Sequence, residues 1–114
     1  MHRKITSYLG GTLCCTGLLL CASYPVQAQN QQNQEQLNIR ALAATCANCH
    51  GTNGKAVEGS AVVTLAGVPK DYTIAQMKAF KNGARPATIM HQISKGYSDA
   101  QIEQVAAYFA AQKK

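Results

Sequence analysis

Apolar residues recur at helical spacing in four parts of the chain, and no segment shows the sustained alternation typical of a half-buried strand. The first predicted helix spans 37–47. The second runs from about Asp71 to Asn82-Gly83, a pair typical of a left-handed helix end. A short helical piece is predicted over 88–94. The residues predicted to form the buried side of the second helix are Tyr72, Ala75, Ala79 and Phe80. The pattern therefore predicts an all-α fold.

The last predicted helix has the clearest start, because Ser98 and Gln101 have the spacing of a capping box. Asp99 falls in the first turn, where the helix dipole favours a negative charge. The apolar stripe of this helix consists of Ile102, Val105, Ala106 and Phe109. Between the first two helices, residues 51–68 form a long connection with four glycines. A loop of this length in a small domain predicts that a large group lies beside it.

The N-terminal 28 residues have the pattern of a secretory signal peptide. Two basic residues precede an apolar run centred on 9–22, which is too short for a confident membrane span. Cleavage is predicted after Ala28. The alternatives are cleavage after Ser23, a lipoprotein modified at Cys21, and an uncleaved anchor. The exported chain is therefore expected in the periplasm, without stable membrane insertion.

The rest of the chain divides into two predicted parts. Residues 29–36 are rich in glutamine and asparagine and are predicted to form a flexible leader. The globular domain is predicted to span 37–114. The formal net charge is +6, but the lysines are spread singly and aromatic residues are few. This distribution argues against a nucleic-acid-binding surface.

Two of the five cysteines lie beyond the predicted signal peptide, as Cys46 and Cys49 in the stretch CANCH, which ends in His50. A redox dithiol normally lies in a strand–helix–strand pattern, and the sequence has none. A structural zinc site needs about four ligands, and His91 is the other histidine beyond the signal peptide. Cys-x-x-Cys-His is the attachment signal of c-type haem, because two thiols reach the two vinyl groups and the next residue presents an imidazole to the iron. The sequence therefore predicts one covalent haem c.

The iron then needs a sixth ligand or keeps an open position. Met77 lies in the middle of the second predicted helix, where core packing is its ordinary role. Met90 follows Pro86, which breaks any helix and lets the chain fold back over the haem. A thioether ligand favours reduced iron, which suits an electron carrier. Met90 is the predicted ligand and His91 the alternative, whereas an open position would indicate an enzyme such as a peroxidase.

Four segments resemble the class I cytochromes c. They are LAATCANCHG at 42–51, LAG at 65–67, FKNGARPATIM at 80–90 and ISKGYSDAQIEQVAAYFA at 93–110. The stretches RPATIM and KGYSD resemble the cytochrome subunits of flavocytochrome c sulfide dehydrogenases in particular. The resemblance implies a small fold of helices and a long loop around one covalent haem.

The same resemblance implies that Cys46 and Cys49 hold the haem, with His50 as the proximal and Met90 as the distal ligand of the iron. It also implies a flavoprotein (FAD) subunit that oxidises sulfide and passes electrons to this haem, and further redox proteins as partners. Related cytochromes commonly have a proline shortly before LAG, where this chain has Val63. The group that orients the His50 ring is therefore left open.

A second resemblance is to the di-haem cytochromes built from two such domains, which share the LAG and FK-x-G-x-R patterns. This chain has one haem motif. As a single-domain relative it would work as a free electron carrier, which is the alternative function.

Overall fold

The computed structural model describes residues 24–114, so most of the predicted signal peptide lies outside the described residues. The elements in chain order are α1 (Tyr24–His50), a 3₁₀ turn (Thr52–Gly54), α2 (Lys70–Lys81), α3 (Met90–Ile93), a second 3₁₀ turn (Ser94–Gly96) and α4 (Asp99–Ala110). Residues 24–114 contain no strand, and the predicted all-α fold is confirmed. Within this part of the chain, none of the helices combines the length and the apolar character that crossing a bilayer requires.

The first helix is longer than predicted. α1 begins at Tyr24 and includes residues 29–36, all of which are exposed. Residues 29–36 are helical here, since their glutamines and glutamate are good helix formers and no glycine or proline interrupts residues 26–50. The flexibility of this leader stays a prediction. The predicted cleavage site after Ala28 lies near the start of this helix and stays a prediction.

The last helix supplies the centre of the core. Its predicted stripe is confirmed, because all four members are buried: Ile102, Val105, Ala106 and Phe109. Val105 and Phe109 pack with Ala43 of α1. The side chain of Ser98 accepts a hydrogen bond from the Gln101 backbone, and the Gln101 side chain accepts one in return, which confirms the capping box. α4 packs against both α1 and α2 and so organises the domain.

The second helix has the predicted bounds but a different buried face. It ends at Lys81, and Gly83 adopts the left-handed conformation with φ 79°. The prediction that Tyr72 and Ala75 are buried was wrong, because both are exposed, whereas Ala79 and Phe80 are half-buried. The residues buried instead are Thr73 and Met77. Thr73 can occupy the core because its hydroxyl donates to the carbonyl of Pro69 at 3.3 Å, which satisfies the polar group.

The long connection between α1 and α2 is folded back on α4 by backbone hydrogen bonds. The amides of Leu65 and Ala66 both donate to the carbonyl of Gly54, at 2.7 and 3.1 Å. The amide of Gly67 donates to the carbonyl of Phe109 at 2.9 Å. These bonds hold the LAG segment at 65–67 against the first 3₁₀ turn and the C-terminal part of α4.

Candidate functional site

Both cysteines of the haem motif lie at the end of α1. Cys46 and Cys49 are three residues apart on this helix, so their side chains project from neighbouring positions on one face. Neither forms a disulfide. Cys49 is exposed, whereas burial raises the pKa of the Cys46 thiol, against the opposing effect of the neighbouring hydroxyl groups of Thr45 and Tyr97. The Cys46 thiol is therefore protonated at neutral pH.

Gly51 lets the chain turn away directly after His50. Its φ is +78°, and its amide still donates to the carbonyl of Ala47 at 2.9 Å. A Cβ atom on Gly51 would lie 1.9 Å from the carbonyl oxygen of Lys55, which no rearrangement of a side chain could relieve. Glycine is therefore required at this position, and the tight turn sets the loop beside the imidazole.

The ring of His50 is oriented by a backbone carbonyl. Its Nδ1 lies 2.7 Å from the carbonyl oxygen of Val63. Because a carbonyl can only accept, Nδ1 must carry the proton, and the Nε2 atom of the neutral ring keeps its lone pair. The group that the sequence left open is thus the carbonyl of Val63. A metal-ligating histidine has this arrangement, with one nitrogen hydrogen-bonded and the other free to bind.

Met90 is the first residue of α3 and is half-buried. The loop that leads to it is held back on α2, because the amide of Arg85 donates to the Ala79 carbonyl at 3.0 Å. The guanidinium of Arg85 also stacks over the ring of Phe80, 4.7 Å from its centroid, and contacts Gln76. α3 packs chiefly against α2. The structure therefore gathers Cys46, Cys49 and His50 on one helix end and places Met90 on a separate segment.

The two alternatives to Met90 have different surroundings. Met77 is 9% exposed in the buried face of α2, which confirms its predicted packing role. His91 is half-buried, and its Nδ1 is buried with no hydrogen-bond partner among the described residues. Met77 belongs to α2, whereas His91 belongs to α3 and directly follows Met90. His91 therefore stays the alternative ligand.

Two hydrogen-bonded pairs near the site were not foreseen from the sequence. The hydroxyl of Tyr97 lies 2.6 Å from that of Thr45, and the hydroxyl of Tyr108 donates to the side-chain oxygen of Asn53 at 2.7 Å. The members of each pair are more than fifty residues apart. No local pattern marks such a pair, and the one signal in the sequence is the position of Thr45 directly before Cys46.

A c-type haem fits the residues present. The two unpaired thiols and the free Nε2 of His50 are the donor set that covalent attachment and axial ligation require. Val63 and Ile89 are 67% and 57% exposed, although they are large and apolar. One belongs to the segment that orients His50 and the other directly precedes Met90. Apolar surface at these two positions suits contact with an apolar macrocycle.

The sequence of the chain is similar to those of known proteins. The family model described as "Cytochrome c" matches residues 38–113, which is more than half of the chain. The cytochrome subunit of sulfide dehydrogenase from Chlorobaculum tepidum is 37% identical over 68 residues, which are 60% of this chain and 60% of that protein. The thiosulfate dehydrogenase electron acceptor from Thiomonas intermedia is 35% identical over 71 residues, 62% of this chain and 33% of that protein.

A shorter relative is cytochrome c-554(548) from Halomonas halodenitrificans, 35% identical over 74 residues, which cover 60% of this chain and 86% of that protein. The first two relatives are matched over less than two thirds of their own length. The similarity to those two therefore covers only part of each protein.

Proposed function

The chain belongs to the cytochrome c family and is an electron-transfer haem protein, and on that premise we propose that it is the periplasmic haem subunit of a flavoprotein sulfide dehydrogenase. The proposed haem site rests chiefly on the hydrogen bond from His50 Nδ1 to the Val63 carbonyl, because this bond leaves Nε2 unprotonated and able to bind a metal. The sequence identity to the cytochrome subunit of sulfide dehydrogenase from Chlorobaculum tepidum supports the proposed flavoprotein partner.

In this proposal Cys46 and Cys49 would hold one haem by thioether bonds, and His50 and Met90 would ligate its iron. The haem would supply one-electron redox chemistry. The chain's own residues position this group. Val63 holds the imidazole in one tautomer and orientation through its carbonyl, and the thioether of Met90 favours the ferrous state.

Substitution of Met90 tests the ligand set. Met90→Ala should abolish the weak red absorption band of Met-ligated ferric haem, and His91→Ala should leave the band in place. Met77→Ala is the control for lost packing, because it removes a buried methionine and should cost about 2–5 kcal/mol of stability with the band retained. A band that survives Met90→Ala would disprove this ligation.

The partner is tested by the absorption spectrum of the protein purified from its own host under gentle, low-salt conditions. Flavin absorbance that travels with the haem at a fixed ratio is the expected result, with sulfide-dependent reduction of the haem in the same fraction. The flavoprotein provides the electrons, and the haem domain accepts them one at a time.

A free electron carrier is the second candidate. The chain matches 86% of the length of cytochrome c-554(548) from Halomonas halodenitrificans, which supports a single-domain cytochrome. Haem that elutes alone as a small species, with no flavin, would favour this function. Reduction of that species by a thiosulfate dehydrogenase would then follow the second relative, which is an electron acceptor of that enzyme.

A further inference from the structure

A hydrogen bond joins the end of α1 to the segment that follows α3. The hydroxyl oxygens of Tyr97 and Thr45 lie 2.6 Å apart, between residues 52 positions apart in sequence. Thr45 directly precedes Cys46, and Tyr97 directly follows the 3₁₀ turn that continues from the helix of Met90. The bond therefore connects the attachment turn, which is the end of α1 that carries Cys46 and Cys49, with the Met90 segment, which spans residues 90–97 and contains the proposed distal ligand.

The direction of this bond is determined by a second one. The hydroxyl of Thr45 donates to the carbonyl of Leu42 at 2.7 Å, which uses its single proton. Tyr97 must then be the donor, and Thr45 accepts. A donor and an acceptor with fixed roles leave one favourable arrangement of the phenol, so the bond has a defined geometry.

The main chain of Tyr97 is itself fixed. Its carbonyl accepts a hydrogen bond from the ammonium of Lys81 at 2.8 Å, and its amide donates to the carbonyl of Ser94 at 3.3 Å. The next residue, Ser98, caps α4. Tyr97 thus stands at the junction of α2, α4 and the segment that carries Met90. Its side chain extends from this junction to α1.

We propose that Tyr97 is a positioning residue, which holds the Met90 segment at the distance from the attachment turn that ligation of the iron requires. This role rests on the proposed ligation by Met90. A ligand side chain has to be held within about 0.5 Å of its productive position by packing and hydrogen bonds. α3 packs chiefly against α2, so its position relative to α1 depends on contacts such as this one.

The experiment uses the haem-loaded protein and three variants: Tyr97→Phe, Thr45→Val and the double variant. Loss of the red band of Met-ligated ferric haem is followed in a denaturant titration, and far-ultraviolet circular dichroism is recorded on the same samples. Loss of one hydrogen bond should increase the equilibrium constant for methionine dissociation about threefold to tenfold. The band should then disappear at a lower denaturant concentration relative to the helical signal than in the unaltered protein.

Tyr108→Phe is the matched control. Tyr108 also donates a hydroxyl proton across the fold, to Asn53 at 2.7 Å, but neither residue lies in the Met90 segment. Its loss should shift the band and the helical signal together. Thr45→Ser keeps the accepting hydroxyl and should resemble the unaltered protein.

The proposal predicts that the double variant is no worse than Thr45→Val alone, because Thr45→Val already removes the bond to Tyr97 together with the bond to the Leu42 carbonyl. Two results would overturn it. In the first, the midpoints of the red band and of the helical signal shift together in Tyr97→Phe, as expected for Tyr108→Phe. In the second, the effects of the two single variants add in full in the double variant. If the unaltered protein lacks the red band, ligation by Met90 fails, and this role fails with it. A band that is present but insensitive to Tyr97→Phe overturns the positioning role alone.

Discussion

Nδ1 of His50 donates a hydrogen bond to the carbonyl oxygen of Val63 at 2.7 Å, thirteen residues further along the chain. The acceptor belongs to the backbone, so the identity of the side chain at position 63 does not decide whether the bond forms. This explains how the chain can have valine where related cytochromes commonly have proline and still present an oriented imidazole.

Val63→Pro should therefore keep the imidazole hydrogen bond. Proline retains the carbonyl, and the amide that it removes is not a hydrogen-bond donor to any described residue. The free energy of unfolding should rise by up to about 1 kcal/mol, because proline restricts the unfolded chain. Nitrogen-15 magnetic resonance of the haem-loaded protein should show the Nδ1 proton of His50 still protected from exchange. Loss of this signal would show that the backbone at 63 cannot accept proline.

Gly54→Ala should strongly destabilise the loop that holds Val63. The new Cβ would lie 2.7 Å from the ring of Phe109 and 2.9 Å from Leu65, at a φ of +78°. Overpacking and the left-handed backbone together should cost about 3 kcal/mol in chemical denaturation. Gly59→Ala is the control, since φ there is +79° but no atom lies within 4 Å, and it should cost about 1 kcal/mol. Equal costs at the two sites would contradict the crowding at Gly54.

The ion pairs of Asp99 should make stability depend on pH. Its carboxylate lies 3.0 Å from the ammonium of Lys81 and 3.6 Å from that of Lys78. The hydrogen bond and charge of Lys81, and then the charge of Lys78, lower the pKa of Asp99 from its ordinary value. The stabilisation is therefore fully present above the ordinary pKa of an aspartate and disappears as the pH falls through the lower folded value.

Asp99→Asn should accordingly reduce the denaturation midpoint slightly at pH 7, and the difference from the unaltered protein should vanish in acid. The pair is exposed, so salt should also reduce the difference. Glu103→Gln removes an exposed carboxylate of the same helix and serves as the control. A deficit of Asp99→Asn that persists in strong acid would show that charge is not its cause.

The start of α4 should depend on Ser98. Its hydroxyl accepts from the amide of Gln101 at 3.2 Å, and its own amide donates to the Gln101 side chain at 2.9 Å. Ser98→Ala should lower the free energy of unfolding by about 1 kcal/mol, since an amide of the first turn loses its partner. Thr64→Ala removes an exposed loop hydroxyl that bonds to no described residue, and it should stay within about 0.5 kcal/mol in the same urea titration.

The local features of this protein can be predicted from its amino-acid sequence. The capping box of Ser98 and Gln101 and the buried stripe of α4 were predicted correctly, because both depend on residues within a few positions of one another. The glycine turn after α2 and the CANCH motif are local in the same sense. Such features need no knowledge of what the element packs against.

The tertiary structure is needed to know which side of α2 is buried, because that depends on where α4 and the other helices lie. Thr73 and Met77 are buried, whereas Tyr72 and Ala75, which were predicted to be buried, are exposed. It also decided that the carbonyl of Val63 meets His50, and that Tyr97 reaches Thr45. These partners are brought together through an irregular loop or across more than fifty residues, and the spacing of residues along a chain does not encode such distances.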